Sequence, residues 1–220
     1  MDRANKIYSR IISALSSERC PVCAMLYQDE FDSLCRWAGK SGETYRDSEQ
    51  RIHLVNAGGF CNYHFWQFQR ISSHYGTANV CIVLLVKLIA VLNSVKHKHN
   101  LNILSAENVM KCPLCYELKQ KEAGYLKELT NILEDDDIKP KYVSGCGACM
   151  PHFIRLMDYS DDELLLEFLF DTQITQIARI KSDAEGFIRK MNPSSRWEQT
   201  KAEKKSWLLA IEKIAGKNGV

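Results

Sequence analysis

The feature that most constrains this chain is a set of eight cysteine and histidine residues arranged as two copies of one pattern. Each copy joins a Cys-Pro-x-Cys motif to a later Gly-x-Cys-x-x-His-Phe motif. The first copy holds Cys20, Cys23, Cys61 and His64, and the second holds Cys112, Cys115, Cys149 and His152. Recurrence of the same order, proline, glycine and aromatic residue indicates an internal repeat. We therefore predict two domains, residues 1–100 and 101–220, each a helical metal-binding half, the second extended by C-terminal helices.

The nine cysteines of the 220-residue chain could form disulfides or bind metal. The polar N-terminus reads directly into a helical pattern without a secretory signal, so we expect a cytoplasmic protein with reduced thiols. Paired Cys-x-x-Cys and Cys-x-x-His spacings then favour metal over disulfides. Three thiolates and one imidazole are the donor set of a closed, tetrahedral structural zinc site. We predict two zinc ions per chain, with iron as the alternative metal.

The simplest pairing keeps the ligands of each half together. Site one would then be Cys20, Cys23, Cys61 and His64, and site two would be Cys112, Cys115, Cys149 and His152. Pairing across the halves, in which the first Cys-x-x-Cys joins the second Cys-x-x-His, is the alternative arrangement. Both arrangements use the same eight residues.

Cys146 makes the ligand set of the second site ambiguous. With Cys112, Cys115 and Cys149 it completes an all-cysteine set that could hold an iron–sulfur cluster. The matching position of the first half is Gly58, so that half has a single ligand set. We interpret Cys146 as a thiol outside the first coordination shell and keep it as an alternative ligand.

Proline after the first cysteine of a pair indicates how the ligands are presented. Proline is favoured at the first position of a helix. Cys20 would then be the N-cap of a helix and Cys23 its third residue, and these two positions bring side chains together. The same reasoning applies to the other three motifs. The positive end of each helix dipole would stabilise the thiolate form that binds metal.

Apolar periodicity predicts an all-α fold of two pseudo-repeated helical halves, each organised by a Cys₃His site. No segment alternates with the period of a strand, although a short hairpin beside a ligand pair is an open alternative. We expect the apolar stretch Val80–Leu92 to be a buried core helix, because a bilayer span needs about 20 residues. We expect the amphipathic segment Arg196–Lys217 to pack onto the body. Predicted helices cover residues 4–16, 21–38, 43–56, 64–74, 79–98, 115–133, 151–157, 161–190 and 194–215.

Composition and motifs narrow the function. The formal net charge of +2 gives no strong nucleic-acid signal, and the sequence contains no glycine-rich phosphate loop, Gly-x-Ser-x-Gly or His-Glu-x-x-His motif. With no catalytic constellation, we predict a non-enzymatic, zinc-stabilised helical protein that acts as a partner-binding or scaffold module. A protein partner is expected, no membrane span is predicted, and the oligomeric state is open. The alternative is an iron–sulfur or thiol-based redox protein or sensor that uses the second-half cysteines.

The motifs also carry a resemblance to a known kind of protein. Cys20-Pro21-Val22-Cys23, Gly59-Phe60-Cys61-Asn62-Tyr63-His64 and Cys112-Pro113-Leu114-Cys115 resemble an uncharacterised prokaryotic family of helical proteins. That family pairs Cys-Pro-x-Cys with Gly-Phe-Cys-x-x-His over a similar length. The resemblance implies a bacterial or archaeal cytoplasmic protein with a repeated motif, and it implies no activity. Cys146 departs from the family pattern.

Overall fold

The fold is all-α, as predicted. The computed structural model describes residues 3–39, 49–98, 111–191, 194 and 196–217. Every regular element within these ranges is helical. The ten α-helices among them are α1 (Arg3–Leu15), α2 (Pro21–Gly39), α3 (Glu49–Asn56), α4 (Asn62–Ile71), α5 (His74–Lys98), α6 (Pro113–Leu133), α7 (Lys139–Ser144), α8 (Met150–Leu156), α9 (Glu163–Arg189) and α10 (Lys201–Ala215).

The chain forms two compact units. Unit 1 consists of Met1–Tyr27 and Glu122–Val220, and unit 2 consists of Gln28–Lys121. Both changes of unit fall inside helices, namely α2 and α6. The division at residue 100 that the motif repeat suggested falls outside the described residues and stays a prediction.

Most predicted helices are present, and the differences have local causes. The short hairpin that the sequence left open as an alternative is absent from the described part of the chain, because helices begin directly at the ligand pairs. The gap predicted between residues 133 and 151 contains a further helix, α7, in which Pro140 occupies the first turn, where its missing N–H costs no hydrogen bond. The last helix begins later than predicted, because Thr200 and Glu203 form a capping box there. Two further parts of the prediction lie outside the described residues, namely residues 43–48 of one predicted helix and residues 192 and 193 between the last two predicted helices.

Unit 2 has an aromatic core that includes part of its ligand set. Phe60 packs edge-on against Trp37 at 5.2 Å between ring centroids, and its ring is tilted by 36° against that of Phe68 at 5.4 Å. Phe60 directly precedes the ligand Cys61, and Cys112 belongs to the core cluster itself. The predicted metal ligands and the core of this unit therefore form one packed region. The cluster comprises Leu34, Trp37, Leu54, Phe60, Phe68, Val80, Leu84, Cys112 and Leu114.

In unit 1 the C-terminal helix packs on the body through polar residues. Helix α10 contacts α9, and it buries Glu203, Ser206 and Lys213. Lys190 on the other side of this contact donates hydrogen bonds to both carboxylate oxygens of Glu203. The predicted docking of this segment is present, whereas its large apolar residues remain exposed, namely Trp207, Leu208 and Ile211.

We predicted that the helix at Val80–Leu92 is buried in the core, and this is wrong for most of the surface of that helix. Helix α5 is 25 residues long and buries Val80 and Leu84, but Ile82, Leu85 and Ile89 are more than half exposed. In the described part of the chain, His74–Lys96 is the one stretch long and apolar enough to cross a bilayer by those two criteria, with 22% of it buried. A helix with apolar residues on all sides does not reveal from sequence which side faces the core.

Phe68→Ala tests the packing of unit 2. We expect a loss of about 3–5 kcal/mol in the free energy of unfolding, because the fully buried ring leaves a cavity. Trp66→Ala, on the same helix but 62% exposed, is the matched control and should change stability by less than about 0.5 kcal/mol. Urea unfolding followed by circular dichroism measures both. Equal losses in the two variants would contradict the described core.

Candidate metal centres

The eight predicted ligands converge in two groups of four. Centre A consists of Cys20, Cys23, Cys149 and His152, and centre B consists of Cys61, His64, Cys112 and Cys115. Within each group the four ligand atoms all lie within 4.8 Å of one another. Centre A lies entirely in unit 1 and centre B entirely in unit 2. The pairing of ligands within each sequence half was therefore wrong, and the alternative pairing across the halves is the one that forms.

Each ligand pair stands at the start of a helix, as the sequence predicted. Cys61 and Cys149 have extended backbone (φ −64° and −68°) and cap α4 and α8. The backbone N–H groups of Phe65 and Phe153 donate to their carbonyls at 2.9 and 2.7 Å. The carbonyls of the first cysteine of the other two pairs accept equivalent bonds, from Ala24 to Cys20 and from Tyr116 to Cys112.

The glycine two residues before each Cys-x-x-His cysteine is needed for the turn into the helix. Gly59 has φ +104° and Gly147 has φ +61°, values that other residues adopt only with strain. At Gly147 a Cβ atom would lie 2.1 Å from Oε1 of Gln176, so a side chain would also collide. These glycines let the chain reverse and present the next cysteine as an N-cap.

The donor spacing fits a single tetrahedral ion. With metal–sulfur bonds of about 2.3 Å and a metal–nitrogen bond of about 2.0 Å, tetrahedral edges are about 3.8 Å between sulfurs and about 3.5 Å from sulfur to nitrogen. In centre A, Cys23 Sγ lies 3.7 Å from Cys149 Sγ and 3.3 Å from His152 Nδ1. In centre B, Cys61 Sγ lies 3.6 Å from Cys115 Sγ and 3.2 Å from His64 Nδ1. These separations exceed a disulfide bond and match a shared metal ion.

Both histidines turn one nitrogen to the sulfurs and the other to a glutamate carboxylate, which is buried at Glu30 and partly exposed at Glu122. His152 Nε2 lies 3.0 Å from Glu122, and His64 Nε2 lies 3.2 Å from Glu30. Arg155 pairs with the second oxygen of Glu122 and holds that carboxylate in place. A carboxylate on the outer nitrogen fixes the tautomer that leaves Nδ1 free to bind metal, and it raises the basicity of the ligand.

Our sequence interpretation missed these two glutamates, although a signal for them exists. Glu30 follows Cys20 by ten positions, and Glu122 follows Cys112 by the same number. A helix rises about 1.5 Å per residue, so Glu30 lies roughly 15 Å along α2 from the Cys20 pair and cannot contact a histidine bound beside that pair. The observed contact of Glu30 with His64 therefore agrees with pairing across the halves, whereas the spacing alone assigned neither glutamate to a histidine.

The ionisation of centre B shows why a cation suits it. Burial opposes ionisation of Cys112, but the hydrogen bond and charge of His64 outweigh it and lower the pKa of Cys112 to about 6. Burial likewise opposes protonation of His64, but Cys112 and Glu30 raise the pKa of His64 to about 10. Burial and the charge of Cys112 raise the pKa of Cys115. The positive charge of one imidazolium thus stabilises one ionised thiolate, whereas a divalent cation can stabilise all three thiolates of the centre.

Centre A has the same ionisation pattern in a more buried setting. Despite burial, hydrogen bonds from Cys149 and Cys23 hold the pKa of Cys20 well below its usual value. Hydrogen bonds with Cys149 and Cys20 raise the pKa of Cys23. Burial opposes protonation of His152, but the hydrogen bond of His152 with Cys149 outweighs burial. The pKa of His152 therefore rises to about 11.

A buried lysine holds the loop that delivers Cys149 to centre A. The ammonium of Lys213, on α10, donates to the carbonyls of Cys146 and Ala148 at 2.9 and 2.8 Å. It also donates to the side-chain oxygens of Gln173 and Gln176 at 2.8 and 3.0 Å. These bonds satisfy acceptors that burial would otherwise leave unpaired, so α10 stabilises the loop.

The two centres differ in exposure. All four ligands of centre A are buried, and Gly216, just after α10, lies over its sulfurs: a Cβ placed there would be 3.6 Å from Cys149 Sγ. In centre B, Cys61 is half-buried and Cys115 is exposed. Reagents in solution can therefore reach the sulfurs of centre B more easily than those of centre A.

Cys146 lies outside both ligand groups. It lines a cavity of about 490 Å³ in unit 1, together with Ser16, Arg179 and Lys205. Burial raises the pKa of its thiol, which favours the neutral form. The all-cysteine set of Cys112, Cys115, Cys146 and Cys149 does not form, because Cys149 belongs to centre A and the Cys112 pair to centre B.

Comparison with known proteins adds a family and no activity. A family model described as "Family of unknown function (DUF6062)" matches residues 10–219. No curated protein and no solved structure matches the chain.

Glu30→Gln and Glu122→Gln test the outer carboxylates. Each should weaken metal binding at its own centre by about 10–100-fold, because the histidine loses the anionic partner that orients it. Competition with a chromophoric chelator gives the two affinities separately. Glu167→Gln, at an exposed position of α9, should leave both unchanged. Unaltered affinities in the Glu30 and Glu122 variants would show that these carboxylates do not support the ligands.

Proposed function

This chain belongs to DUF6062, a family of unknown function, and we propose that it is a non-enzymatic helical protein stabilised by two zinc ions. The observation that carries the proposal is the convergence of three cysteines and one histidine at each of two centres. Four protein donors complete a tetrahedral shell and leave no position for a substrate. A closed shell of this kind supports a structural role.

Zinc is the metal that the donor set favours. Thiolate-rich tetrahedral ligation with one imidazole suits zinc better than copper or nickel. The close approach of the four donors supports one ion per centre, whereas an iron–sulfur cluster spreads its ligands over several irons. A single iron ion has similar ligand preferences, and elemental analysis distinguishes the two metals.

The proposed contribution of zinc is folding free energy. Structural zinc sites contribute about 10–16 kcal/mol in small domains, because the site does not exist in the unfolded chain. In unit 1 the ion would join Cys23 to Cys149 across 126 positions of sequence. In unit 2 the ligand Cys112 is itself part of the core cluster. Loss of the metal would therefore disturb packing in both units.

We further propose that the stabilised scaffold serves in the cytoplasm and binds a protein partner. Nine free cysteines suit a reducing compartment, where thiolates stay available to metal. Closed metal shells without a substrate position favour a scaffold over an enzyme. Exposed apolar side chains on α5 and α10 offer contact surfaces for a partner.

Elemental analysis and chelation test the proposed structural role. Anaerobically purified protein should contain two zinc ions per chain and little iron. Removing them with a strong chelator should abolish much of the helical circular-dichroism signal and lower the melting temperature, since the thiolates lose their counter-charge. Zinc added back should restore both. A metal-free protein that keeps its full helical signal and melting temperature would contradict the proposal.

A second candidate function is thiol-based redox sensing at centre B. The supporting observation is the exposure of Cys115 beside the half-buried Cys61, with their sulfurs 3.6 Å apart. Hydrogen peroxide could accept two electrons from these two thiolates: a sulfur–sulfur bond forms, the oxygen–oxygen bond breaks, and the two oxygens leave as two water molecules after taking two protons from solvent. The centre would lose two of its four ligands, whereas centre A is shielded.

Peroxide titration of the zinc-loaded protein tests redox sensing. One zinc ion per chain should be released rapidly, and peptide mapping should find a disulfide within Cys61, Cys112 and Cys115. The other ion should stay bound, because the ligands of centre A are buried. Release of both ions at one rate, or a first disulfide among Cys20, Cys23 and Cys149, would exclude selective sensing at centre B.

A further inference from the structure

The outer side of α5 carries a row of exposed residues with coiled-coil spacing. Successive members alternate by three and four positions, which is the spacing that keeps a seam facing one partner helix. The central members Ile82, Leu85, Ile89 and Leu92 are between 55% and 60% exposed. The full row is Tyr75, Ala78, Ile82, Leu85, Ile89, Leu92 and Lys96, all of them exposed.

The opposite side of α5 is fixed to unit 2. Val80 and Leu84 belong to the same core cluster as Phe60. Lys87, the one charged residue in the middle of the helix, donates to the backbone carbonyls of Val55 and Asn56 at the end of α3. A helix held in this way could cross a bilayer only by leaving its core. The outer row therefore suits a contact on one side, such as a second helix.

We propose that α5 pairs with α5 of a second copy of this chain, so that the protein is a homodimer. This inference identifies the protein partner of the proposed scaffold. It rests on the proposed function in one respect, namely that the zinc-loaded chain is the folded protein. Isoleucine occupies the a position of the heptad repeat, at Ile82 and Ile89. Leucine occupies the d position, at Leu85 and Leu92. In parallel coiled coils this combination favours two strands. Lys96 in the same seam sets the register, as a single polar residue does.

The exposed area is sufficient for such a pair. Six aliphatic residues of α5, four of them in the row and two flanking it, are 43–63% exposed, and at about 100 Å² each they present roughly 600 Å² per chain. Two copies that buried all of this area would reach roughly 1,200 Å², the lower limit for specific interfaces. A patch of about 600 Å² is at the upper end for a monomer. The six residues are Ile82, Leu85, Val86, Leu88, Ile89 and Leu92.

Sedimentation equilibrium of the zinc-loaded full chain tests the dimer. The expected mass is twice the 25.2 kDa of one chain at micromolar concentration. The double variant Ile82→Glu/Ile89→Glu should sediment as a monomer and keep its helical signal and two metal ions, because both side chains point away from the core. Ile211→Glu, which charges the exposed apolar surface of α10, is the matched control and should stay dimeric.

Three results would contradict the α5 dimer, and a fourth would contradict only the zinc proposal. A zinc-loaded wild-type monomer would overturn the dimer, whether another segment of the chain covers α5 or the helix faces lipid. Co-sedimentation of that monomer with phosphatidylglycerol vesicles would identify lipid as the occupant. A dimer that persists in the double variant, or is lost in Ile211→Glu, would place the interface elsewhere. A dimer without metal would contradict the zinc proposal and leave this one standing.

Discussion

Three cysteines and one histidine held in contact at two helix starts are the constraint on which each unit depends. Burial makes several thiolates unfavourable at one place unless a cation compensates them. The ligand atoms of each centre nevertheless lie within 4.8 Å of one another, and the core of unit 2 is built around its ligands through Phe60 and Cys112. Packing and ligation share residues there, so we expect them to form together. In unit 1, the ammonium of Lys213 on α10 binds the loop that carries Cys149, and Gly216, just after α10, lies close to the sulfurs of centre A.

The sequence predicted the ligands and helix starts because both depend on local chemistry. An N-cap and the third helical residue lie side by side wherever the helix is, so Cys20-Pro21-Val22-Cys23 specifies its own geometry. The pairing of motifs depends on the whole chain. Closing a loop of 126 residues instead of 38 costs only about 1 kcal/mol more, because loop entropy grows slowly with length. That difference is small beside the free energy of metal binding, so proximity in sequence was a weak guide.

Two further features required the folded chain. Glu30 and Glu122 have clear roles only once the histidines that they contact are known, although their equal spacing from the first cysteines was visible. The orientation of α5 depends on which of its apolar residues meets the aromatic cluster, and its composition favours neither side. The helix was therefore predicted correctly, and its exposure was not. The same holds for α10, which packs through Glu203 and Lys213 while Trp207 remains exposed.

The two centres differ in the exposure of their sulfurs, and we therefore assign them different roles in the proposed scaffold. Centre A is enclosed and suits a permanent structural ion, whereas centre B exposes Cys115 and is open to reagents. Centre B also lies in the unit that carries the exposed row of α5. The accessible metal centre and the proposed association surface therefore belong to one unit, and the enclosed centre belongs to the other.

Counting bound metal in two matched double variants tests the ligand pairing most directly. Native mass spectrometry of Cys20→Ser/Cys149→Ser should find one ion, because both changes fall in centre A and leave centre B intact. Cys20→Ser/Cys61→Ser should bind none, because it damages both centres. The reverse result, with one ion retained in the Cys20/Cys61 variant and none in the Cys20/Cys149 variant, would show that the ligands pair within the sequence halves and would contradict this account.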